Sequence, residues 1–435
     1  MSIVCGNSWG WLLDSCTHID EGLQRCVCYN SAGLEKPTYF KNCFKREYFN
    51  ILKPHVQIRH NIGISTNGIH THNAENSNGD GLAKIDLHTR KKRKRKQRDL
   101  NTGELDAHIY HGKVRSVVLE GSQALLEAGR QCGYLTEDLI TPPSESLPTH
   151  ECQLAALCDM AKQLPLTDES VAPVQTLNAD GLDPPLDLFS SITENPFDCA
   201  YEVTLMREKY LLPPRSRFLL SDITHMHPLV NSGDKFDLII LDPPWENKSV
   251  KRSNRYSSLP SSQLKQLPVP ALAAPECLVV TWVTNRAKHL RFVKEELYPY
   301  WAVEVLAEWL WVKVTRTGEF VFPLDSQHKK PYEVLVLGRY RSRSDHTVRC
   351  LAEDELPEQH LLISIPSLLH SHKPSLSAVL KPYISHKPKC LELFARSLQC
   401  DWTSWGNEVL KFQHSSYFTR ERVEDPARTS QTLTQ

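Results

Sequence analysis

The tetrapeptide Asp242-Pro243-Pro244-Trp245 brings together residue types that could do chemistry. Its carboxylate only accepts hydrogen bonds, its prolines offer rigid carbonyls without N–H groups, and its indole offers a flat apolar face. The apolar run from Phe236 to Leu241 comes directly before it and is typical of a buried parallel strand. Ligands bind at the carboxyl ends of such strands in open α/β sheets. We therefore predict that these four residues are catalytic.

A second Asp-Pro-Pro occurs at residues 183–185, within the segment "NADGLDPPLDLF". Asn, Asp and Gly precede it, and no apolar run leads into it. Proline fixes φ and removes a backbone donor, so this composition indicates a turn. We interpret the second copy as a loop without a chemical role.

The catalytic tetrapeptide suits the methylation of an amino group on a planar base. The exocyclic nitrogen of adenine is a poor nucleophile because its lone pair is delocalised into the ring. If the Asp242 carboxylate and the Pro243 carbonyl accept its two N–H bonds, the nitrogen moves toward tetrahedral geometry and its lone pair becomes available. Trp245 would stack on the base, as aromatic side chains do on flipped or unstacked nucleotides.

The composition of the whole chain sets limits on its class. Its 435 residues, 23% charged and 40% hydrophobic, suffice for one sizeable catalytic core and a second module. No apolar stretch approaches the length of a membrane span, and residues 1–11 lack the pattern of a secretory signal, so we expect no membrane contact. The 13 cysteines lack Cys-x-x-Cys spacing, which favours reduced thiols, and we expect no metal site.

The net charge is zero, but one block is strongly basic: "RKKRKRKQR", Arg90 to Arg98. It follows a weakly hydrophobic stretch rich in Asn, His and Gly, which cannot bury enough apolar surface to fold. We expect residues 61–98 to form a disordered basic tether with a nuclear import signal, and a direct RNA contact is the alternative. The predicted location is the nucleus, with the cytosol and the mitochondrion as alternatives.

The chain divides by pattern into an N-terminal part and an α/β part. Residues 1–60 have no clear pattern, residues 99–165 contain two amphipathic helices that predict a small helical accessory domain, and residues 166–200 are predicted to be a linker. Strands and helices alternate over residues 201–415, which predicts a doubly wound α/β domain. Residues 416–435 are predicted to be a flexible tail. Strand candidates in the α/β part are residues 277–283, 302–314, 332–337, 361–365 and 390–394.

Six motifs of the α/β part occur in the order found in a known enzyme family. They are Asp222-Ile223, Asp242 to Trp245, "TWVTNRAKHL" (281–290), "EWLWVKV" (308–314), "SHKP" (371–374) and "LELFARSLQCDWTSWGNE" (391–408). In this order they resemble the eukaryotic adenosine-N6 methyltransferases related to the 70-kDa messenger-RNA methyltransferase subunit. The resemblance covers about residues 203–414 and continues more weakly through residues 103–164.

The resemblance implies a Rossmann-like fold that uses S-adenosylmethionine, with a smaller, mainly helical N-terminal region. It also implies a permuted motif order, because the catalytic strand precedes the "LELF" cofactor strand. The chain has no G-x-G-x-x-G fingerprint at these strands, but S-adenosylmethionine has no pyrophosphate that would need one.

The resemblance further implies a set of cofactor contacts. Asp222 and the Ile223 backbone would meet the adenine end, Lys373 would pair with the methionine carboxylate, and Phe394 would pack beneath the cofactor. Asp242 also belongs to this set, and the ribose and its neighbouring polar edges would be met by Arg396, Gln399, Asn407 and Glu408. Glu408 stands where the better-known relative has an amide, and Leu398 where it has an imidazole.

The loop after the tetrapeptide is predicted to bind the substrate. Basic residues beside an aromatic suit a phosphate backbone with a splayed-out base. The predicted contacts are Asn247, Lys248, Lys251, Arg252, Asn254, Arg255 and Tyr256. The resemblance implies that the acceptor is 2′-O-methyladenosine in a small nuclear RNA of the U2 type. We expect the enzyme to be a monomer. Two alternatives are a DNA adenine methyltransferase and a catalytically silent RNA-binding partner subunit.

Overall fold

The computed structural model describes residues 2–28, 38–55, 102–136, 150, 152–161, 174–178, 186–246, 259–326, 329–341 and 354–423. The basic segment 61–98, the second Asp-Pro-Pro and the predicted substrate loop 247–256 lie outside the described residues. Strands of the described part form one sheet of twelve strands and one of five.

The large sheet is mixed and runs across the whole molecule. Its strands are β1 (Ile3–Asn7), β2 (Gly10–Leu13), β5 (Val174–Thr176), β6 (Ile192–Glu194), β9 (Arg217–Leu219), β10 (Phe236–Leu241), β11 (Ala273–Val283), β12 (Val303–Lys313), β13 (Tyr332–Tyr340), β14 (Leu361–Ser364), β15 (Cys390–Leu393) and β16 (Trp402–Trp405). The small sheet contains β3 (Cys26–Cys28), β4 (Thr38–Phe44), β7 (Ala200–Leu205), β8 (Glu208–Leu212) and β17 (Phe418–Val423).

The helices pack on both faces of the large sheet and at its ends. They are α1 (Ser15–Glu21), α2 (Thr102–Gln131), α3 (Gln153–Ala161), α4 (His227–Asn231), α5 (Ser261–Lys265), α6 (Val269–Leu272), α7 (Ala287–Arg291), α8 (Tyr298–Tyr300) and α9 (Ser377–Leu380). A π-helical segment, Phe292–Leu297, joins α7 to α8. Turns of 3₁₀-helix lie at Arg46–Phe49, Lys381–Tyr383, Lys411–Gln413 and Ser415–Tyr417.

Strand β10 lies near the middle of the large sheet, and its last four residues are at most 3% exposed. It pairs in parallel with β11 on one side and with β15 on the other. The chain therefore leaves β10 toward one side and returns much later on the other side. Such a reversal opens a crevice at the carboxyl ends of the two strands, which is where open α/β sheets bind ligands.

The longest helix, α2, covers one face of this sheet. Its buried residues include Val114, Val118 and Leu125, which belong to the same apolar core as Ile239 of β10. Gly129 lets the helix approach the sheet closely, since a Cβ there would lie 2.5 Å from Cδ2 of Leu12. Residues of this size gain about 1.5–3 kcal/mol each when they are fully buried, so α2 is held by the sheet.

The domain boundaries that we predicted differ from this arrangement. The two predicted helices of residues 99–165 are present, but α2 packs on the large sheet and does not form a separate accessory domain. Residues 1–60 supply β1 and β2 to that sheet, and the predicted linker supplies β5 and β6. The predicted tail supplies β17 to the small sheet. These strands are three to six residues long, which is too short for a clear alternation. Two of them, β2 and β17, also pair with strands far away in the chain, β14 and β4.

The five strand candidates of the α/β part are confirmed by β11, β12, β13, β14 and β15. All cysteines among the described residues are free thiols. In the same part of the chain, no helix is long and apolar enough to cross a membrane, and no group of three or more His, Cys, Asp or Glu side chains is placed to hold a metal ion.

Packing of α2 on the sheet predicts unequal effects for two glycine substitutions in the same helix. Gly129→Val should lower the free energy of unfolding by about 1–3 kcal/mol, because the first added carbon already meets Leu12. Gly112→Val should change it by less than about 0.5 kcal/mol, because nothing lies within 4 Å of a Cβ there. Urea denaturation of the whole chain measures both. Equal effects would mean that α2 does not depend on the sheet.

Candidate active site

The crevice at the end of β10 holds Asp242 between two cations. Nη1 of Arg396 lies 2.6 Å from Oδ2 of Asp242, and Nζ of Lys373 lies 3.2 Å from Oδ1. Asp242 is 7% exposed, so these charges face one another with little water between them. Charge-assisted hydrogen bonds of this length are the strong ones in proteins, and they fix the orientation of the carboxylate.

Lys373 also contacts a second carboxylate, which the sequence did not indicate. Its Nζ lies 3.4 Å from Oε2 of Glu333, on β13, and Glu333 pairs in turn with Lys313. Burial opposes the ionisation of Glu333, but the charges of Lys313 and Lys373 outweigh it and lower the pKa of Glu333 to about 2. Burial likewise lowers the pKa of Lys373, but the charges of Asp242 and Glu333 raise it more. Lys373 is therefore a stable cation at this position.

Arg396 bridges Asp242 to Glu408. Nε of Arg396 lies 3.2 Å from Oε2 of Glu408, whose other oxygen lies 2.8 Å from Nζ of Lys411. The segment that carries Arg396 turns sharply after β15, since Phe394 has a φ of 61° and its ring meets that of Trp405 edge-on at 5.1 Å. Gly406 permits this turn, because a Cβ there would lie 2.8 Å from the carbonyl oxygen of Ala395.

Glu392, on β15, is a third carboxylate at this edge. Burial raises the pKa of Glu392 to about 7, although the hydrogen bond from Gln399 and the charges of Arg396 and Lys373 lower it. Nε2 of Gln399 donates to Oε2 of Glu392 at 3.1 Å. A glutamate inside the apolar strand "CLEL" was the one signal in the sequence that could have marked it.

A cavity of about 240 Å³ opens between these groups. Predicted cofactor residues line it, namely Asp242, Lys373, Phe394, Arg396 and Gln399, and Glu392 and Trp282 line it as well. Ser15, His18 and Glu21 of α1 complete its wall. Sequence reasoning missed the contribution of α1, because residues 1–60 lie far from the other motifs in the chain.

The other predicted cofactor residues do not line this cavity. Asp222 accepts hydrogen bonds from the backbone N–H and the hydroxyl of Thr224, at 2.7 Å and 2.6 Å, and Ile223 follows it in the same turn after β9. Asn407 and Glu408 follow β16, which is parallel to β9. The carboxyl ends of β9 and β16 therefore bring these four residues to the same edge of the sheet, beside the cavity.

Trp245 lies in the wall of the site. It is 7% exposed, its Nε1 donates to the carbonyl of Trp282 at 2.8 Å, and its ring lies 4.9 Å from that of His289. Burial lowers the pKa of His289 to about 4, and its Nε2 donates to the carbonyl of Glu246 at 3.2 Å. Only a small part of the indole remains open, and its stacking on a base stays a prediction.

The two prolines hold the peptide between Asp242 and Trp245. The carbonyl of Pro243 accepts the backbone N–H of Trp245 at 2.9 Å, and that of Pro244 accepts the N–H of Leu259 at 3.1 Å. A carbonyl oxygen has two lone pairs, so Pro243 keeps one acceptor position for a further donor. The predicted roles of Asp242 and Pro243 as paired acceptors are compatible with this geometry.

The comparisons with known proteins bear on this region. Residues 236–408 match the MT-A70 family. The N(6)-adenine-specific methyltransferase METTL4 of Mus musculus is 51% identical over 387 residues, which cover 87% of this chain and 81% of that protein.

The chain belongs to the MT-A70 family.

Two further relatives match about half of this MT-A70 chain. The N6-methyladenosine RNA methyltransferase MTA1 of Pyricularia oryzae is 31% identical over 232 residues, 50% of this chain and 59% of that protein. The DNA N6-methyl methyltransferase of Caenorhabditis elegans is 36% identical over 217 residues, 49% of this chain and 56% of that protein. The family resemblance predicted from the motifs is thus confirmed.

The MT-A70 segment and the site coincide only in part. The matched residues begin with β10 and end at Glu408, so they include Asp242, Lys373 and Arg396. Asp222, Ile223 and the α1 wall of the cavity lie before the segment. The family match alone therefore does not describe the whole cavity.

The pKa of Glu392 predicts that Glu392→Gln stabilises the protein at pH 8 more than at pH 5. The carboxyl ionises near 4.5 when unfolded and near 7 when folded, so the parent chain loses stability as the pH rises between these values. A neutral amide avoids this loss. The free energy of unfolding of the variant relative to the parent should rise by about 2 kcal/mol between pH 5 and pH 8, measured by urea denaturation.

Glu333→Gln is the matched control. Its folded pKa of about 2 lies below its unfolded value, so Glu333 stabilises the fold above pH 4.5 and would lose that effect only as the pH falls toward 2. Glu333→Gln should destabilise by about 3 kcal/mol at both pH 5 and pH 8. If the effect of Glu392→Gln were also independent of pH, the assignment of a titrating Glu392 would be wrong.

Proposed function

We propose that this adenine-N6 methyltransferase acts on RNA and that its acceptor is 2′-O-methyladenosine in a small nuclear RNA of the U2 type. The observation that carries the methyl transfer is the Asp242 carboxylate, held by Arg396 and Lys373 at the carboxyl end of β10 next to the Pro243 carbonyl. The choice of RNA is supported by the basic residues at 247–256 and by a relative that is named an RNA methyltransferase. The family and its relatives show an adenine-N6 methyltransferase, so we set aside the alternative of a silent partner subunit.

The groups around the cavity fit S-adenosylmethionine, which the MT-A70 family implies as the methyl donor. Lys373 would hold the carboxylate of the methionine end, and the carboxylates of Asp242 and Glu392 suit an ammonium group and hydroxyls. Phe394 offers an apolar surface beneath them. When bound, the cofactor supplies an electrophilic methyl group on a sulfonium that departs as a neutral thioether. We assign Asp222, Ile223, Arg396, Gln399, Asn407 and Glu408 to the adenosine end.

Asp242 and Pro243 would act on the acceptor amine. The carboxylate of Asp242 has about four acceptor positions, and Arg396 and Lys373 occupy one on each oxygen. Acceptor positions on Asp242 and one on Pro243 remain for the two N–H bonds of the amine. Hydrogen bonds from both N–H groups draw the nitrogen toward tetrahedral geometry and localise its lone pair, and the buried position of Asp242 strengthens that effect. The amine loses one proton when the N–C bond forms and keeps the other N–H.

The RNA part of the proposal is supported by sequence and by relatives. The basic residues at 247–256 suit a phosphate backbone, and the MTA1 relative is named an RNA methyltransferase. We further propose that the basic run 90–98 directs the chain to the nucleus, that the enzyme is a monomer, and that β10 before β15 is the permuted motif order. A DNA acceptor is the second candidate, because the Caenorhabditis elegans relative is named a DNA methyltransferase.

We expect Asp242→Ala to reduce kcat by about 10² or more, because an interaction made in the transition state is lost. Binding of S-adenosylmethionine should survive in weakened form. Asp183→Ala, in the other Asp-Pro-Pro, is the matched control and should leave kcat unchanged. Radiolabelled methyl transfer to an RNA oligonucleotide gives kcat for each variant. Equal damage by the two substitutions would refute the catalytic role of the tetrapeptide.

We expect kcat/KM to be higher on an RNA with 2′-O-methyladenosine than on the same RNA with an unmodified target. Burial of one methyl group gives about a fivefold preference, since it contributes about 1 kcal/mol. A 2′-hydroxyl buried without a partner costs about 1–3 kcal/mol and would raise the preference further. The comparison needs two RNAs that differ only in that methyl group, and a single-stranded DNA of the same sequence.

The outcomes separate the candidates. Equal kcat/KM on the two RNAs would remove the modified nucleotide from the proposal. A higher kcat/KM on DNA than on either RNA would favour the second candidate. In both cases the enzyme class would stand.

A further inference from the structure

Helix α1, which precedes the MT-A70 segment by more than 200 residues, forms part of the wall of the cofactor cavity. Its N-cap Asp14 accepts the N–H of Cys16 at 3.0 Å, and near its end Asp20 accepts the N–H of Phe44 at 2.7 Å. Gly22 brings the end of the helix against the segment after Gln399, since a Cβ there would lie 2.7 Å from Sγ of Cys400. The helix is thus fixed in place beside Gln399.

His18 of α1 contacts Gln399 directly. Its Nε2 lies 3.1 Å from Oε1 of Gln399, which also accepts the hydroxyl of Ser375 at 2.6 Å. Nε2 of Gln399 donates to Glu392 at 3.1 Å, which fixes the carboxamide oxygen on the other side. That oxygen can only accept, so Nε2 of His18 carries the proton and donates it. His18 and Ser375 therefore hold Gln399 in the orientation that reaches Glu392.

The contacts of Gln399 give it a role in addition to the predicted contact with the cofactor. Its carboxamide oxygen is occupied by two donors and one of its N–H bonds by Glu392, so it is a link between α1 and the cavity. Burial lowers the pKa of His18 below its usual value, although Gln399 and Glu21 oppose this. A neutral imidazole donates to the amide without placing another cation near Arg396 and Lys373.

We propose that His18 is a positioning residue for the cofactor site, acting through Gln399 on the carboxylate of Glu392. The inference rests on the proposed cofactor cavity. Without His18, Ser375 remains as a donor to the carboxamide oxygen of Gln399. The carboxamide is then held less firmly, and its hydrogen bond to Glu392 weakens while Asp242, Arg396 and Lys373 still face that carboxyl. The N-terminal region thereby acts on cofactor binding, although the acceptor pair of the reaction lies elsewhere.

The test compares two substitutions of His18 in the full chain, with S-adenosylmethionine as the probe. Phenylalanine keeps the volume but has no donor, and His18→Phe should raise the Kd and the KM for S-adenosylmethionine about five- to tenfold, with kcat within about threefold of the parent. Glutamine places an amide N–H where Nε2 of histidine lies, so His18→Gln should restore binding to within about twofold. His108→Ala, an exposed histidine of α2, is the control and should leave both constants unchanged.

The pH dependence of binding separates positioning from simple packing. The ionised form of Glu392 is the one that suits the ammonium group of S-adenosylmethionine, so the affinity should rise with pH as Glu392 ionises. The hydrogen bond from Gln399 lowers the pKa of Glu392, so loss of that bond should move the midpoint of this rise to a higher pH. Isothermal titration between pH 6 and 8.5 measures this midpoint. A weaker affinity with an unchanged midpoint, or a His18→Gln variant as weak as His18→Phe, would overturn the proposal.

A second variant, Gln399→Leu, tests the proposal if His18→Phe does not fold. Gln399→Leu should give at least the same loss of affinity and the same shift of midpoint, and the double variant should bind no more weakly than Gln399→Leu alone. Additive losses would show that His18 does not act through Gln399. If the parent chain does not bind S-adenosylmethionine, the proposed cofactor site itself is refuted. If the parent binds and His18→Phe binds equally well, only the present inference is refuted.

Discussion

The carboxylate of Asp242, placed between Arg396 and Lys373, is the interaction on which the rest of the candidate site depends. The attraction within a buried pair is offset by the cost of removing both charges from water, but removal of one partner leaves an uncompensated charge and costs about 3–5 kcal/mol. The cations come from two loops at the carboxyl edge of the sheet, so the pairs fix both loops against β10. Each cation is shared with a second carboxylate, Glu408 or Glu333. The positions of the predicted cofactor residues are thus coupled through charge.

Glu392 and Glu333 show that the pKa of a buried carboxyl at the carboxyl edge of the sheet depends on the groups that it contacts. Glu333 has two lysines as partners and a pKa of about 2, whereas Glu392 has an amide as its hydrogen-bond partner and a pKa of about 7. Residue type alone does not distinguish the two. The difference arises because the two lysines outweigh burial at Glu333, whereas burial prevails at Glu392, where the amide of Gln399 lowers the pKa only in part. That amide is held from outside the family segment by α1. The N-terminal strands and helix are therefore part of the site and not an appendage to it.

Features that depend on neighbouring residues in the chain could be predicted from the sequence, and features that depend on the tertiary fold could not. The apolar run before Asp242 and the family motifs are local, and they correctly gave β10, the family and the central strands. The side chains of Asp242, Lys373, Phe394, Arg396 and Gln399 do meet in one cavity. Glu333 and His18 could not be predicted, because their partners are set by the tertiary fold: Lys373 for Glu333 and, 381 residues away, Gln399 for His18. The edge strands β1, β2, β5 and β6 could not be predicted because they are only three to five residues long. The prediction of a separate helical domain was wrong for α2, which packs on the large sheet. An amphipathic pattern shows that one face of a helix is buried, but it does not show which element covers that face.

The peptide that follows Asp242 links the predicted substrate loop to the acceptor pair. The described residues on either side of the predicted loop 247–256 are Glu246 and Leu259. Glu246 directly follows the tetrapeptide, and Leu259 is hydrogen-bonded to it. Pro244 accepts the N–H of Leu259, and the carbonyl of Glu246 accepts from His289, which packs against Trp245. The Trp245 indole is anchored in turn to β11. If the predicted loop binds a phosphate backbone, its described end at Leu259 is one hydrogen bond and one proline away from the Pro243 carbonyl, so the proposed acceptor pair would be sensitive to that binding.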